Sequence, residues 1–144
     1  MIILLVEDEE SHAEMVRRCL QDFRIPTQLI HVADGEQALD YLYKRNAFGA
    51  PALAHHPDVI LLDWHLPQMS GLEVLKAIKS APLLKRIPVI VLTAFLSKGD
   101  LSAAYDYYAH SFLVKPMHPG DFHQMLEAFS AFWLAWNQYS VEDE

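Results

Sequence analysis

The sequence predicts an α/β fold, a doubly wound sheet of five parallel strands with five helices, and three observations carry that expectation. Continuous Ile/Leu/Val runs without polar alternation occupy residues 1–6, 59–62 and 89–92, as in strands covered on both faces. Segments with apolar residues at helical spacing fall between such runs. The two kinds of element alternate along the chain, and strand, helix, strand repetition calls for right-handed crossovers and a parallel sheet.

Each element has its own signal. After the strand at 1–6, Ser11 with Glu14 is the pattern of a reciprocal N-terminal cap, and Ala13, Val16, Leu20 and Phe23 fall on one helical face. Gln28–Val32 reads as a weaker second strand, followed by a cap at Asp34 with Gln37 and a helix burying Ala38 and Leu42. Residues 47–57, AFGAPALAHHP, form the one long loop. The third strand, 59–62, leads to a cap at Ser70 with Glu73 and a helix carrying Leu72, Leu75 and Ile78. The fourth, 89–92, leads to a weaker cap at Ser97 with Asp100. Ser111–Val114 is the last and weaker strand. A final helix is expected over about 119–138, with 139–144 as an acidic tail. No internal repeat, low-complexity tract or linker interrupts this order, so 1–144 is expected to be a single domain.

Composition narrows the functional classes. Hydrophobic residues make up 52% of the 144, yet no apolar run approaches the roughly 18 residues of a membrane span. The start, MIILLVEDEE, has neither a basic opening nor a small-residue cleavage site and reads as a buried strand. The single Cys19 can build neither a disulfide framework nor a multi-cysteine zinc site within the chain, and a cytoplasmic location is expected. The net charge of -8 argues against nucleic acid, which is bound through clustered Lys and Arg. Eight histidines share no ligand spacing, so no zinc site is expected.

In a doubly wound sheet the ligand lies beyond the carboxyl ends of the strands, where the strand order reverses. Glu7 and Asp8 follow the first strand, Asp63 the third, Thr93 ends the fourth and Lys115 the fifth, so all five belong to one edge. Acidic residues after a strand are often only helix caps, and a lone Lys there is usually solvated; the coincidence of all five is what points to chemistry. Carboxylates about 4 Å apart repel by about 4 kcal/mol per pair at an effective dielectric near 20, so protonation or a cation must relieve them. Oxygen ligands of this kind suit Mg²⁺ or Mn²⁺, which keep waters and share a site with phosphate. One carboxylate can then attack phosphorus.

The segments LLVEDE, ADGEQALDYL, DVILLDWHLPQMSGLEVL, IPVIVLTA and SFLVKP resemble, in order and spacing, the signature segments of response regulator receiver domains of two-component systems. The resemblance covers essentially the whole chain and implies a flavodoxin-like strand order, 2-1-3-4-5, with no output domain. It further implies Asp63 as phosphoacceptor, with metal held by Asp8, Asp63 and the backbone carbonyl of His65, and by Glu7 through a water. Thr93, Lys115 and the backbone N–H groups of Trp64 and Ala94 would hold phosphoryl oxygens. Thr93 and Phe112 would form the switch; the family usually has the Lys115–Pro116 bond cis, while the sequence alone leaves cis or trans open. The protein would be no enzyme beyond promoting its own phosphorylation and dephosphorylation. A haloacid dehalogenase-type phosphohydrolase is the rival that uses similar groups, but it needs a second Asp where this chain has His65. A phosphorylation-independent binding module is the other alternative, and retention of all five site residues argues against it.

Several positions depart from the common pattern. Tyr108-Ala109 stands where many receivers have Gly-Ala, so a positive φ there would cost more. Phe112 lacks the hydroxyl of the usual Tyr. His65 and Phe95 flank the expected approach of hydrolytic water. Trp64 reads either as a cover for the site or as packing. The long loop, SAPLLKRIPVIVLTA and the ending AFSAFWLAW resemble single-domain regulators that partner bacterial phytochrome kinases, which implies a sensor histidine kinase, a bacteriophytochrome, as partner. On the final helix, Phe122, Met125, Leu126, Phe129, Phe132, Trp133 and Trp136 recur at helical spacing, while Ala128, Ala131, Leu134 and Ala135 widen the apolar surface. A homodimer through this helix and the adjacent fourth-helix and fifth-strand surface is therefore expected.

Overall fold

A computed structural model describes residues 1–21, 27–44, 56–95, 97–116 and 118–135. Five strands, β1 (Ile2–Val6), β2 (Gln28–Val32), β3 (Val59–Asp63), β4 (Val89–Thr93) and β5 (Ser111–Val114), alternate with α1 (Glu10–Gln21), α2 (Gly35–Leu42), α3 (Gly71–Ser80), α4 (Lys98–Asp106) and α5 (Pro119–Ala135). All pairings are parallel, in the order β2-β1-β3-β4-β5. The strands with the strongest apolar runs are the central ones: β3 and β4 are buried at every position, and β1 at all but its first. The two weaker runs, β2 and β5, are the half-exposed edges, where one flank needs no apolar cover.

Two cores sandwich the sheet. One gathers Ile3, Leu5, Leu61, Ile90 and Leu92 under Val16 and Leu20 of α1 and Phe122 and Leu126 of α5. The other gathers Leu4, Ile60, Leu62, Val89 and Val91 under Leu42 of α2 and Leu75 and Ile78 of α3. Each such fully buried Leu, Ile or Val contributes about 1.5–3 kcal/mol relative to exposure. Among the described residues, no helix is long and apolar enough to cross a membrane.

The expected caps of α2, α3 and α4 form: Asp34 accepts from Gln37 N–H at 2.8 Å, Ser70 from Glu73 N–H at 3.2 Å and Ser97 from Asp100 N–H at 3.4 Å. The cap expected at Ser11 does not. α1 starts at Glu10, one residue before Ser11, because Ala13 N–H already donates to Glu9 O at 3.1 Å. Tyr108 takes the positive φ, 64°. It follows the C-cap Tyr107 of α4, and Ala109 N–H donates to Ala104 O while Tyr108 N–H donates to Tyr105 O, the paired bonds of a Schellman ending usually built on Gly. The turn is thus retained with Tyr, at about 1–2 kcal/mol of left-handed strain.

On α5, Phe122 and Leu126 are buried, Met125 and Phe129 pack beside them, and Ala128 and Ala131 face outward. That much is helix docking on the sheet. The side chains of Phe132, Trp133, Leu134 and Ala135, together with Trp136, Phe23, most of the long loop and the acidic tail, lie outside what the structure describes.

Candidate functional site

Among the described residues, the buried polar and charged ones are Glu7, Asp63, Thr93 and Lys115, and they meet at the carboxyl edge of β1, β3, β4 and β5. Asp63 is itself the last residue of β3, one position further into the strand than the apolar run suggested. Backbone bonds carry the sheet's register into the site: Glu7 N–H donates to Val32 O, Trp64 N–H to Leu92 O at 2.9 Å and Lys115 N–H to Thr93 O at 2.6 Å. The site side chains therefore stand on strand-like backbone, with Gly71 allowing the return of the chain. A Cβ at Gly71 would come within 2.6 Å of Asp63 O and 2.7 Å of Trp64 Cα.

Ligand-capable oxygens of Glu7, Asp8 and Asp63 lie within 4.8 Å of one another, with Asp8 exposed at the rim. Lys115 enters this cluster as its counter-charge. Its Nζ donates to Glu7 Oε2 at 2.7 Å and lies 3.5 Å from Asp63 Oδ2 and 3.2 Å from His12 Nδ1. Asp63 Oδ1 accepts from His65 N–H at 3.1 Å. Burial first, then the Glu7 carboxylate, push Asp63 up to about 7, against the opposing pull of Lys115 and the His65 N–H. A group that favours a carboxylate there, whether cation or donor, has this penalty to relieve.

Glu7 is fixed from several directions. Its Oε1 accepts from Glu9 N–H at 3.3 Å, and its backbone O bonds His31 Nε2 at 2.8 Å. Its Oε2 is engaged by Lys115. Thr93, fully buried, donates from Oγ1 to Phe95 O at 3.0 Å and accepts from Phe95 N–H at 3.3 Å. Ala94 lies at the exposed lip just beyond.

Of the two readings of the Trp64 side chain the structure takes packing, and the role expected of its N–H is corrected. It does not cover the site: the ring is buried, 4% exposed, and meets Phe112 edge-on with centroids 6.0 Å apart. Its N–H is committed to Leu92 O, because the strand ladder continues one residue past β3; the amide that faces the Asp63 carboxylate is that of His65. Phe112 is half-buried against the same core. His65 and Phe95 do flank the mouth, their exposed rings at 6.2 Å and 70°. The Lys115–Pro116 bond, left open by the sequence, is trans. His12, set aside among the histidines, belongs to the site's second layer; its one sequence signal is its place in the first turn of the helix that leaves the acidic pair.

A sequence model described as "Response regulator receiver domain" matches residues 3–127. The chain belongs to that family. Among curated relatives, the Probable methanogenesis regulatory protein FilR2 of Methanothrix harundinacea is 38% identical over 95% of this receiver chain and 86% of its own length. Response regulator Rcp1 of Synechocystis is 37% identical over 92% of this chain and 88% of its own. The Mn²⁺-bound crystal structure of Rcp1 superposes with a TM-score of 0.91 at 35% identity, covering 97% and 99% of the two chains. The phosphorylated cyanobacterial phytochrome response regulator RcpA gives 0.91 at 33% identity, covering 97% and 98%. The receiver fold, the strand order and the likeness to phytochrome-associated regulators expected from sequence thus stand.

Proposed function

We propose that this receiver is a phosphoacceptor of a two-component relay, in which Asp63 takes a phosphoryl group from a partner histidine kinase. The observation that carries the reading is the burial of four polar groups, Glu7, Asp63, Thr93 and Lys115, at one sheet edge of an otherwise apolar interior. Burying charge is costly unless it is paired, and a fold keeps it where chemistry needs it.

An Asp63 oxygen attacks phosphorus, a new O–P bond forms, and the bond from phosphorus to the donor's nitrogen or oxygen breaks with its electron pair leaving on the donor. Lys115 lies beside Asp63 with its charge ready for the transferring group, and Thr93 and the N–H groups of His65 and Ala94 are the donors at hand for phosphoryl oxygens. The hard oxygen donors of Asp8 and Asp63, with Glu7 beside them, fit Mg²⁺ or Mn²⁺, and the family resemblance adds the His65 carbonyl. Such an ion supplies charge neutralisation to the carboxylates and to the incoming phosphate. The Mn²⁺-bound state of Rcp1 and the phosphorylated state of RcpA support both parts.

Activity is self-directed and the output is conformational, through Thr93 and the Phe112 and Trp64 pair. The likeness to Rcp1 and RcpA supports a bacteriophytochrome-type kinase as partner in the cytoplasm, and the apolar breadth of the α5 sequence supports a homodimer. With Mg²⁺ and acetyl phosphate, intact-mass analysis is expected to find one added phosphoryl group, absent from Asp63→Asn. Labelling of Asp63→Asn at the wild-type level contradicts the assignment.

A further inference from the structure

We propose that His12 is a positioning residue for Lys115, a neutral third acceptor that holds the ammonium beside Asp63; this rests on the phosphoacceptor reading above. An ammonium carries three N–H donors on a flexible stem, so its location is set by what accepts from it. Glu7 Oε2 accepts at 2.7 Å and Asp63 Oδ2 lies at 3.5 Å. The third contact is His12 Nδ1 at 3.2 Å.

The ring is set for that task from its far side. His12 Nε2 is 3.2 Å from Glu9 Oε2, and a carboxylate has no proton to offer, so Nε2 carries the hydrogen and Nδ1 presents its lone pair to Lys115. Phe122 of α5 holds the ring plane, with centroids 5.4 Å apart and 34° between planes. The same Nδ1 lies 3.5 Å from Glu7 Oε1, so Lys115 is the donor placed between two acceptors that cannot bond each other.

A neutral acceptor is the choice that chemistry favours. A third carboxylate at this position would add repulsion to Asp63 and to any phosphate that approaches it. Imidazole orients the ammonium and leaves its charge uncancelled. When a phosphoryl group arrives, one donor turns from Asp63 to a phosphoryl oxygen, while Glu7 and His12 keep the other two.

The test measures the rate of Asp63 labelling by acetyl phosphate at saturating Mg²⁺, in the full chain. His12→Ala is expected to slow labelling about tenfold, the scale of one lost hydrogen bond to a charged group. His12→Gln, whose amide oxygen can accept, is expected to recover most of that rate. In Lys115→Ala, adding His12→Ala should change nothing further, a non-additivity that a merely structural role would not produce. Glu9→Gln, at an exposed position, lets the amide donate to Nε2 and releases the tautomer; it should slow labelling by about threefold even if His12→Ala fails to fold. Wild-type rates in His12→Ala or in Glu9→Gln, or equal slowing with and without Lys115, overturn the inference. Absence of labelling in the wild-type chain would instead overturn the phosphoacceptor reading.

Discussion

On the face covered by α1 and α5, helices reach the site through charged and aromatic side chains, whereas on the opposite face α4 enters the core with one buried residue, Ala104. The first arrangement ties the loop after β1 to α1 and α5 through Glu7, Glu9, His12, Lys115 and Phe122. The second leaves α4 held by its cap at Ser97, a strained turn at Tyr108 and the Lys76 ammonium 4.8 Å from the Tyr107 ring. Cation–π contacts at exposed sites contribute only about 0.5–1 kcal/mol. The difference teaches that one half holds the chemistry still while the other is the cheaper half to move. Thr93, whose hydroxyl grips Phe95 at the start of the path to α4, joins the two.

Because the first half is tied by charge, pH is expected to produce the largest effect. Asp63 is raised from its ordinary 3.8 to about 7, so the native chain without metal binds that proton more tightly than the unfolded chain. Its contribution to stability is full below about pH 4 and is lost as pH rises through 7, with an upper bound of about 4 kcal/mol. Mg²⁺ competes with the same proton, so its affinity should rise over this range. Urea titrations and Mg²⁺ titrations from pH 4 to 8 check both, and flat profiles would place the proton elsewhere.

Glycine substitutions give the next largest contrast. Gly71→Ala drives a Cβ into the backbone of Asp63 and Trp64 and should cost about 3 kcal/mol, with weaker metal binding. Gly99→Ala in α4 meets nothing closer than Ser97 Oγ at 3.7 Å and should stabilise by up to about 1 kcal/mol. Equal effects in thermal unfolding would erase the difference between the two regions. Smaller still, Tyr108→Gly should stabilise by about 1 kcal/mol through relief of the left-handed φ, and a loss would mean that the Tyr108 side chain holds the turn.

Much of this was legible in the sequence because it is local. Apolar runs and caps announce the strands and three helix starts, and the strand ends bring Glu7, Asp8, Asp63, Thr93 and Lys115 to one edge. What is not local was hidden. Nothing near Lys115 in sequence reveals that its tightest partner is Glu7, 108 residues away, or that His12 shares the ammonium. Trp64 left cover and packing open in sequence, and only the fold decides: its side chain turns into the core toward Phe112 and its N–H closes the ladder to Leu92. Ser11 matched a cap pattern, yet the helix begins one residue earlier and leaves it in the first turn.

The contrast between the fixed half and the movable half is decided by hydrogen exchange of the wild-type chain with and without Mg²⁺ and beryllofluoride, a phosphoryl mimic. Altered exchange is expected from Ala94 through α4 and β5, with α5 and the body of α1 unchanged. Equal change on α1 and α5, or no change on α4, would contradict it.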